Sequence, residues 1–159
     1  MATVNVAQGA TTLHPAFRPV TYVVEATIDL ADVITAKGSA LAAADVIEAL
    51  RIPAKSVVLT AGVEVITAVG GGGTVLTIDV GTGADVDAFA DGFDLVAATE
   101  GTFSVKAAAG VAAITAGSDT LDVLIATQTG TFTSGVIRVF AVVADLAGTV
   151  APGIAQLKS

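Results

Sequence analysis

The sequence predicts an all-β protein: an antiparallel β-sandwich, jelly-roll-like, with an extended N-terminal arm. Three observations support this fold class. Apolar and polar residues alternate with a period of two in several segments, which places alternate side chains on opposite faces of a strand. Clusters of Gly, Asp and Ser separate these segments. The chain has 159 residues, 53% of them hydrophobic and only 14% charged, so it can bury a large core.

Five segments alternate clearly along the chain. Their apolar faces consist of Val20, Tyr22, Val24, Ala26 and Ile28; Val57, Leu59, Ala61, Val63 and Val65; Leu76, Ile78 and Val80; Phe103, Val105 and Ala107; and Leu121, Val123 and Ile125. Residues 136–146 are apolar on both faces, which is typical of a central strand or of a strand at an interface. The spacing indicates about seven to eight short strands, as in a sandwich or jelly roll.

Residues 39–52 carry mixed signals. Residues 40–44 favour a helix by propensity. Residues 46–52 run into Pro53, however, and a residue before proline prefers extended geometry. We therefore predict a strand over residues 46–52.

Two further segments have a predicted local structure. Phe89 and Phe93 stand four apart, which predicts one helical turn within residues 85–98. The run Gly70-Gly71-Gly72-Gly73 predicts a flexible hairpin tip. It is not a phosphate-binding loop, because that motif needs Gly-Lys-Ser/Thr leading into a helix. The organisation predicted from these signals is one sandwich domain over residues 20–147, an N-terminal arm over residues 1–19 and a C-terminal tail over residues 148–159.

Charge and composition exclude several function classes. The formal net charge is −8, and the seven cations are scattered rather than clustered: Arg18, Lys37, Arg51, Lys55, Lys106, Arg138 and Lys158. Nucleic acid and anionic membranes are therefore not expected partners. Residues 1–10 have neither the cation nor the apolar run of a signal peptide, and no apolar run reaches the roughly 20 residues that span a bilayer. The high apolar content predicts a packed core plus a subunit interface.

No residues form a convincing catalytic, cofactor-binding or metal site, and we expect none. The chain has no Cys, and its one histidine, His14, stands in the arm before Pro15, where nothing holds it as a triad requires. The acidic segment Asp79, Asp85, Asp87, Asp91 and Asp94 could ligate Ca²⁺, but it departs from the EF-hand pattern, and turn-capping roles are favoured.

Carbohydrate chemistry is also disfavoured. Nothing places two of Glu25, Glu48, Glu64 and Glu100 across a cleft as a glycosidase pair. A sugar-binding face usually offers aromatic platforms, whereas this chain has no Trp and one Tyr, Tyr22, on a predicted core face.

One region resembles a known family. It begins with Asp45-Val46-Ile47, continues through Ile52-Pro53-Ala54 and Val63-Glu64-Val65, and ends with Ile78-Asp79-Val80-Gly81 and the Asp-rich segment. This order is similar to that in small virion proteins of tailed bacteriophages, the decoration, cement or head-fibre proteins. The resemblance covers residues 44–94, with a weaker echo at residues 136–146, and does not include the arm.

The resemblance implies an all-β, jelly-roll-like module that oligomerises, often as a trimer, and sits on the outer capsid surface. The expected function is decoration and stabilisation of a bacteriophage capsid, with the major capsid protein and further copies of this chain as partners. We expect the arm to dock by adding a strand to a neighbour's sheet edge. The alternative is a receptor- or carbohydrate-binding module of a head or tail fibre. Enzymatic activity is the least favoured hypothesis.

Overall fold

The computed structural model describes residues 20–106, 113–114 and 119–146. Nine strands and one helix lie within them: β1 (Val20–Asp29), α1 (Leu30–Lys37), β2 (Val46–Ile52), β3 (Ser56–Gly71), β4 (Val75–Thr82), β5 (Asp85–Asp94), β6 (Phe103–Ser104), β7 (Ala113–Ile114), β8 (Asp119–Thr129) and β9 (Phe132–Asp145). The predicted arm, residues 1–19, and the predicted tail, residues 148–159, lie outside the described residues.

The strands form two antiparallel sheets. Sheet A has the order β1-β9-β3-β6, with β7 also paired to β3, and sheet B has the order β2-β8-β4-β5. β6 and β7 both pair with β3 and can be counted as one interrupted strand. The first strand then pairs with the last, and each following strand pairs one step further in: β1 with β9, β2 with β8, β3 with β6 and β7, and β4 with β5. Nested pairing of this kind is the jelly-roll topology. The predicted all-β sandwich is confirmed.

The core lies between the two sheets and is mostly aliphatic. The inward residues of β9, from Ile137 to Val143 at every second position, are completely buried, as are Ile78, Val123 and Ile125 from sheet B. Burying each of these side chains stabilises the fold by about 1.5–3 kcal/mol. The predicted strand over residues 136–146 is thus a central strand, β9, held between β1 and β3.

A β-bulge corrects the predicted face of β3. The pairing of β3 with β9 shifts between Val58 and Thr60. The shift places Val58 in the core and leaves Leu59 49% exposed, so the assignment of Val57 and Leu59 to the core was wrong. A bulge inserts one residue and therefore reverses the phase of the alternation before it. Beyond the bulge, Ala61, Val63 and Val65 are buried as predicted.

The predicted face of β6 was also wrong. Glu64 on the outward face of β3 is the cross-strand partner of Phe103, which is 68% exposed. Alternation along one strand gives the period but not which side meets the core. Ala107, predicted to share this face, lies outside the described residues.

The predicted helical turn within residues 85–98 and the predicted hairpin tip at the glycine run were both wrong. Residues 85–94 form β5 rather than a helical turn. A spacing of four is also even, so it fits one face of a strand, and pairing with β4 decides the outcome. The glycine run is not a hairpin tip, because β3 and β4 belong to different sheets. It is a crossover between the two sheets that passes close to the buried ring of Phe132. A Cβ on Gly73 would overlap that ring, so the glycine permits this close approach.

The strand over residues 46–52 is confirmed as β2, and the helical signal at residues 40–44 is not realised. Helix α1 was missed by the sequence analysis. Asp29 caps its start by accepting a hydrogen bond from the Ala31 N–H at 2.8 Å, and Gly38, with a φ of 74°, ends it. No helix of the described residues is long and apolar enough to cross a membrane.

Candidate interaction surface

The two outer faces of the sandwich differ in chemistry. The outer face of sheet A carries a group of apolar side chains from β1, β9 and the β6 segment, which we call the sheet A patch: Val23, Phe103, Val105, Phe140 and Val142. Val23 is 64% exposed, and it is the cross-strand partner of Val142 on β9. Exposed apolar groups that adjoin one another are typical of a surface that another protein covers.

Gly62 builds the centre of the sheet A patch. It lies on the outward side of β3, opposite Phe140 of β9. A Cβ on Gly62 would lie 2.4 Å from the Ser104 carbonyl oxygen, 2.7 Å from Cγ2 of Val105 and 3.1 Å from Cζ of Phe140. The missing side chain therefore lets the β6 segment and Phe140 close over the sheet as one apolar layer.

Three charged residues beside the sheet A patch form an ion-pair network of one cation and two carboxylates. The Arg138 guanidinium lies between two carboxylates, with its Nε donating to Oε2 of Glu64 at 3.0 Å and its Nη1 3.7 Å from Oε2 of Glu25. The Glu64 hydrogen bond, followed by the charges of Glu64 and Glu25, raises the pKa of Arg138. Arg138 is thus committed to carboxylates of its own sheet, which leaves the apolar residues to define the patch.

The outer face of sheet B carries more polar and acidic side chains, beside single exposed apolar residues such as Val46 and Val75. Glu48 of β2 is the cross-strand partner of Asp122 on β8. The hydroxyls of Thr77 and Thr127 share a hydrogen bond of 2.6 Å across β4 and β8. Like charges placed opposite one another destabilise a sheet, and their presence is typical of a face that stays in water.

The acidic segment forms turns and ion pairs. Asp94 Oδ1 accepts hydrogen bonds from the N–H groups of Val96 and Ala97, and Asp79 Oδ1 accepts one from Gly92. The favoured turn and backbone roles are confirmed for these two residues.

A cation of the protein itself lies against the rest of the acidic segment. Lys106 Nζ donates to Asp87 Oδ2 at 3.2 Å and to the Asp87 carbonyl at 3.0 Å, and it lies 3.9 Å from Asp91. The pKa of Asp87 is lowered, first by a hydrogen bond with Asp85 and then by Lys106. Within the described residues, no three His, Cys, Asp or Glu side chains could hold a metal ion. Independence from divalent metals stays a prediction.

The other residues considered for chemistry are dispersed. Glu25 and Glu64 meet only through Arg138, Glu48 lies on the outer face of sheet B, and Glu100 lies in the turn before β6. Tyr22 faces the core and is half-buried. His14 is outside the described residues.

The sequence pointed to only part of the sheet A patch, namely to residues 136–146, which it showed to be apolar on both faces. Val23, an apolar residue on the otherwise polar face of β1, was the signal for its other edge.

Comparison with solved structures shows the fold. A chain of the cyanophage Pam1 capsid asymmetric unit is similar with a TM-score of 0.64 and 15% identity, over 90% of this chain and 97% of that one. A chain of the capsid of Ralstonia phage GP4 is similar with a TM-score of 0.53 and 17% identity, over 91% of this chain and 90% of that one. No protein-family model matches the sequence, and no curated protein matches it.

Proposed function

We propose that this chain is a structural virion protein that decorates and stabilises a bacteriophage capsid. The single observation that carries the proposal is the sheet A patch, a group of adjoining apolar side chains on the outer face of sheet A that includes Val23, at 64% exposed, and Phe103, at 68% exposed. On this proposal, sheet A faces the outer surface of the capsid shell and the acidic face of sheet B points into solvent. The protein acts by contact with the major capsid protein and with its own copies, and it performs no catalysis.

The fold comparison supports a role as a small capsid component. The similar chain of the Pam1 capsid is matched over 97% of its own length by 90% of this chain. The two chains are therefore of nearly equal length. A sandwich of this size adds contacts on top of a shell, where many copies bind together and gain avidity.

On this proposal, the test uses shells assembled from the major capsid protein of the phage that encodes this chain. The double variant Phe103→Lys/Val105→Lys places two charges in the sheet A patch. The matched control, Val75→Lys/Val86→Lys, places two charges at exposed apolar positions of sheet B. We expect wild type and control to sediment with the shells and the patch variant to bind at least about tenfold more weakly, as for loss of a hot-spot residue.

Equal sedimentation of the patch variant and the control contradicts the proposed orientation. Absence of binding by the wild-type protein contradicts decoration itself. A glycan array with specific saccharide binding supports the alternative function, a receptor- or carbohydrate-binding module.

A further inference from the structure

Three of the four sheet edges in the described residues carry features that prevent another strand from pairing with them. At one edge of sheet A, β6 and β7 are two residues each. In sheet B, the β2 edge has a bulge between Glu48 and Leu50 and is followed by Pro53. The β5 edge is bulged, and the Lys106 N–H donates to the Phe89 carbonyl at 2.6 Å. Short strands, bulges, proline and covering segments are the usual means of protecting an edge.

The remaining edge, β1, has none of these features. Its ten residues pair with β9 in one unbroken register, without a bulge, and contain neither Gly nor Pro. Among the described residues β1 pairs with β9 alone, so its other side presents a straight row of backbone groups. A long, regular edge of this kind is a template for strand addition.

The core is also incomplete along this edge. Three of the four inward side chains of β1, those of Tyr22, Val24 and Ala26, are only half-buried, whereas those of the adjacent β9 are completely buried. Ile47 of β2, on the neighbouring edge of sheet B, is half-buried too. A groove of about 380 Å³ lies between α1 and β2, with Val33, Leu41 and Ile47 in its lining beside the ion pair of Lys37 and Asp45. An added strand with apolar side chains would complete the burial.

The distribution of charge identifies a candidate occupant. All fifteen acidic residues lie between Glu25 and Asp145, while residues 1–19 contain none and include Arg18 and His14. Glu25 and Asp29 stand on β1 itself. Residues 1–14, which include Val4, Val6 and Leu13, are longer than the ten residues of β1. An acid-free segment of this length brings no like charge to an edge that carries acidic and apolar side chains.

We propose that residues 1–14 of a second copy of this chain add as a strand to the free edge of β1. We assign the donor to a neighbouring copy because the exposed sheet A patch independently favours association of copies. If each copy donates to the next, the contact is heterologous, and it gives a ring such as a trimer where the rotation between copies closes. This inference rests on the proposed function only in assuming that copies associate.

Disulfide trapping tests the contact directly, because the natural chain has no Cys. Val23→Cys places a thiol on β1, and Thr3→Cys, Asn5→Cys or Ala7→Cys places the second on the N-terminal segment of the same full-length chain. A disulfide forms only when the two Cα atoms approach within about 7 Å. The matched control pairs the same N-terminal substitutions with Val86→Cys on the protected β5 edge, where residue 86 is 44% exposed. Val23→Cys alone reports random collisions.

We expect mild oxidation of at least one Val23→Cys double variant to give covalent dimers and trimers several-fold in excess of both controls, and reduction to remove them. Oxidised monomers with an internal disulfide show that the segment pairs with its own β1 and overturn the inference. Multimers at the control level for all three positions overturn it as well. Melting of the reduced variants verifies that each is folded. Sedimentation with capsid shells is scored separately, so failure of this contact is distinguishable from failure of decoration.

Discussion

At the residue scale, Gly62 shows how the sheet A patch depends on an absent side chain. The position requires no unusual backbone angle, since no positive φ is associated with it, and its constraint is purely one of space. A backbone carbonyl of Ser104 stands where the Cβ would be, and a backbone atom yields less readily than the tip of a side chain. The same site was an ordinary strand position in the sequence pattern, because one-dimensional alternation contains no information on which segment crosses above it.

We expect Gly62→Ala to lower the free energy of unfolding by about 1–3 kcal/mol, the usual cost of forcing a methyl group into a packed site. Gly72→Ala is the matched control, because a Cβ at Gly72 meets nothing within 4 Å. Urea unfolding of both variants measures the difference. Equal stability of the two variants would show that the β6 segment moves aside at no cost.

Asp45 makes a pH-dependent contribution to stability. Its carboxylate accepts hydrogen bonds from Lys37 Nζ and, at 2.7 Å, from the Ala42 N–H, and the Lys37 bond is the main cause of a pKa lowered from the ordinary 3.8. Because the folded pKa is the lower one, the stabilisation is fully present above pH 3.8 and is lost as the pH falls through the folded pKa.

Comparison of wild type with Asp45→Asn isolates this effect from the other carboxylates. We expect the variant to be less stable at pH 7, and the difference in urea midpoint to shrink steadily as the pH is lowered below 3.8. A difference that stays constant between pH 7 and pH 2.5 contradicts the assigned cause.

At the scale of elements, the period-two pattern predicted the strands, but not their details. The start of β1 at Val20 and the full extent of β2 were predicted as they stand, since both alternate or end at a proline. The bulge at Leu59 was not predicted, because the position of a bulge depends on how the strand pairs with its neighbour, here β9. Helix α1 had readable caps, Asp29 and Gly38, and an apolar spacing at Leu30, Val33 and Ile34. The helix has only eight residues and directly follows β1, however, so its pattern could not be distinguished in the sequence from a continuation of that strand.

The N-terminal segment was predicted as an arm, and its removal tests that prediction. Deleting residues 2–14 should change the free energy of unfolding by less than about 1 kcal/mol, because the sandwich body begins at Val20. The same deletion should weaken both self-association and sedimentation with capsid shells, since loss of the oligomer removes avidity.

Two results tell against this role of the segment. A truncated protein that fails to fold makes residues 2–14 part of the core. One that folds, self-associates and binds shells as wild type does makes them a dispensable tail. Unfolding in urea and light scattering on the same preparations separate these cases.

At the scale of the whole molecule, the sandwich has a polarity that the sequence could not show. The apolar outer face of sheet A and the acidic outer face of sheet B come from strands that are interleaved along the chain. Composition predicted that some apolar surface would need a partner, and the jelly-roll topology decides where that surface is. Val20 and Asp145 are also cross-strand partners, so both terminal segments attach at one end of the sandwich.

We expect the purified protein to be a homo-oligomer, most consistently a trimer, because the open β1 edge and the sheet A patch leave apolar surface uncovered in a single copy. Multi-angle light scattering at micromolar concentration measures the mass against the 15.5 kDa of one chain. A strict monomer over the whole concentration range contradicts self-association in the absence of a capsid.

The most direct test of the central claim is a cryo-EM map of capsid shells incubated with the purified protein. Decoration predicts ordered density for the sandwich at regular positions on the outer surface, with sheet A toward the shell and the acidic face of sheet B outward. Shells that remain bare, or density confined to a tail or fibre attachment point, would contradict it.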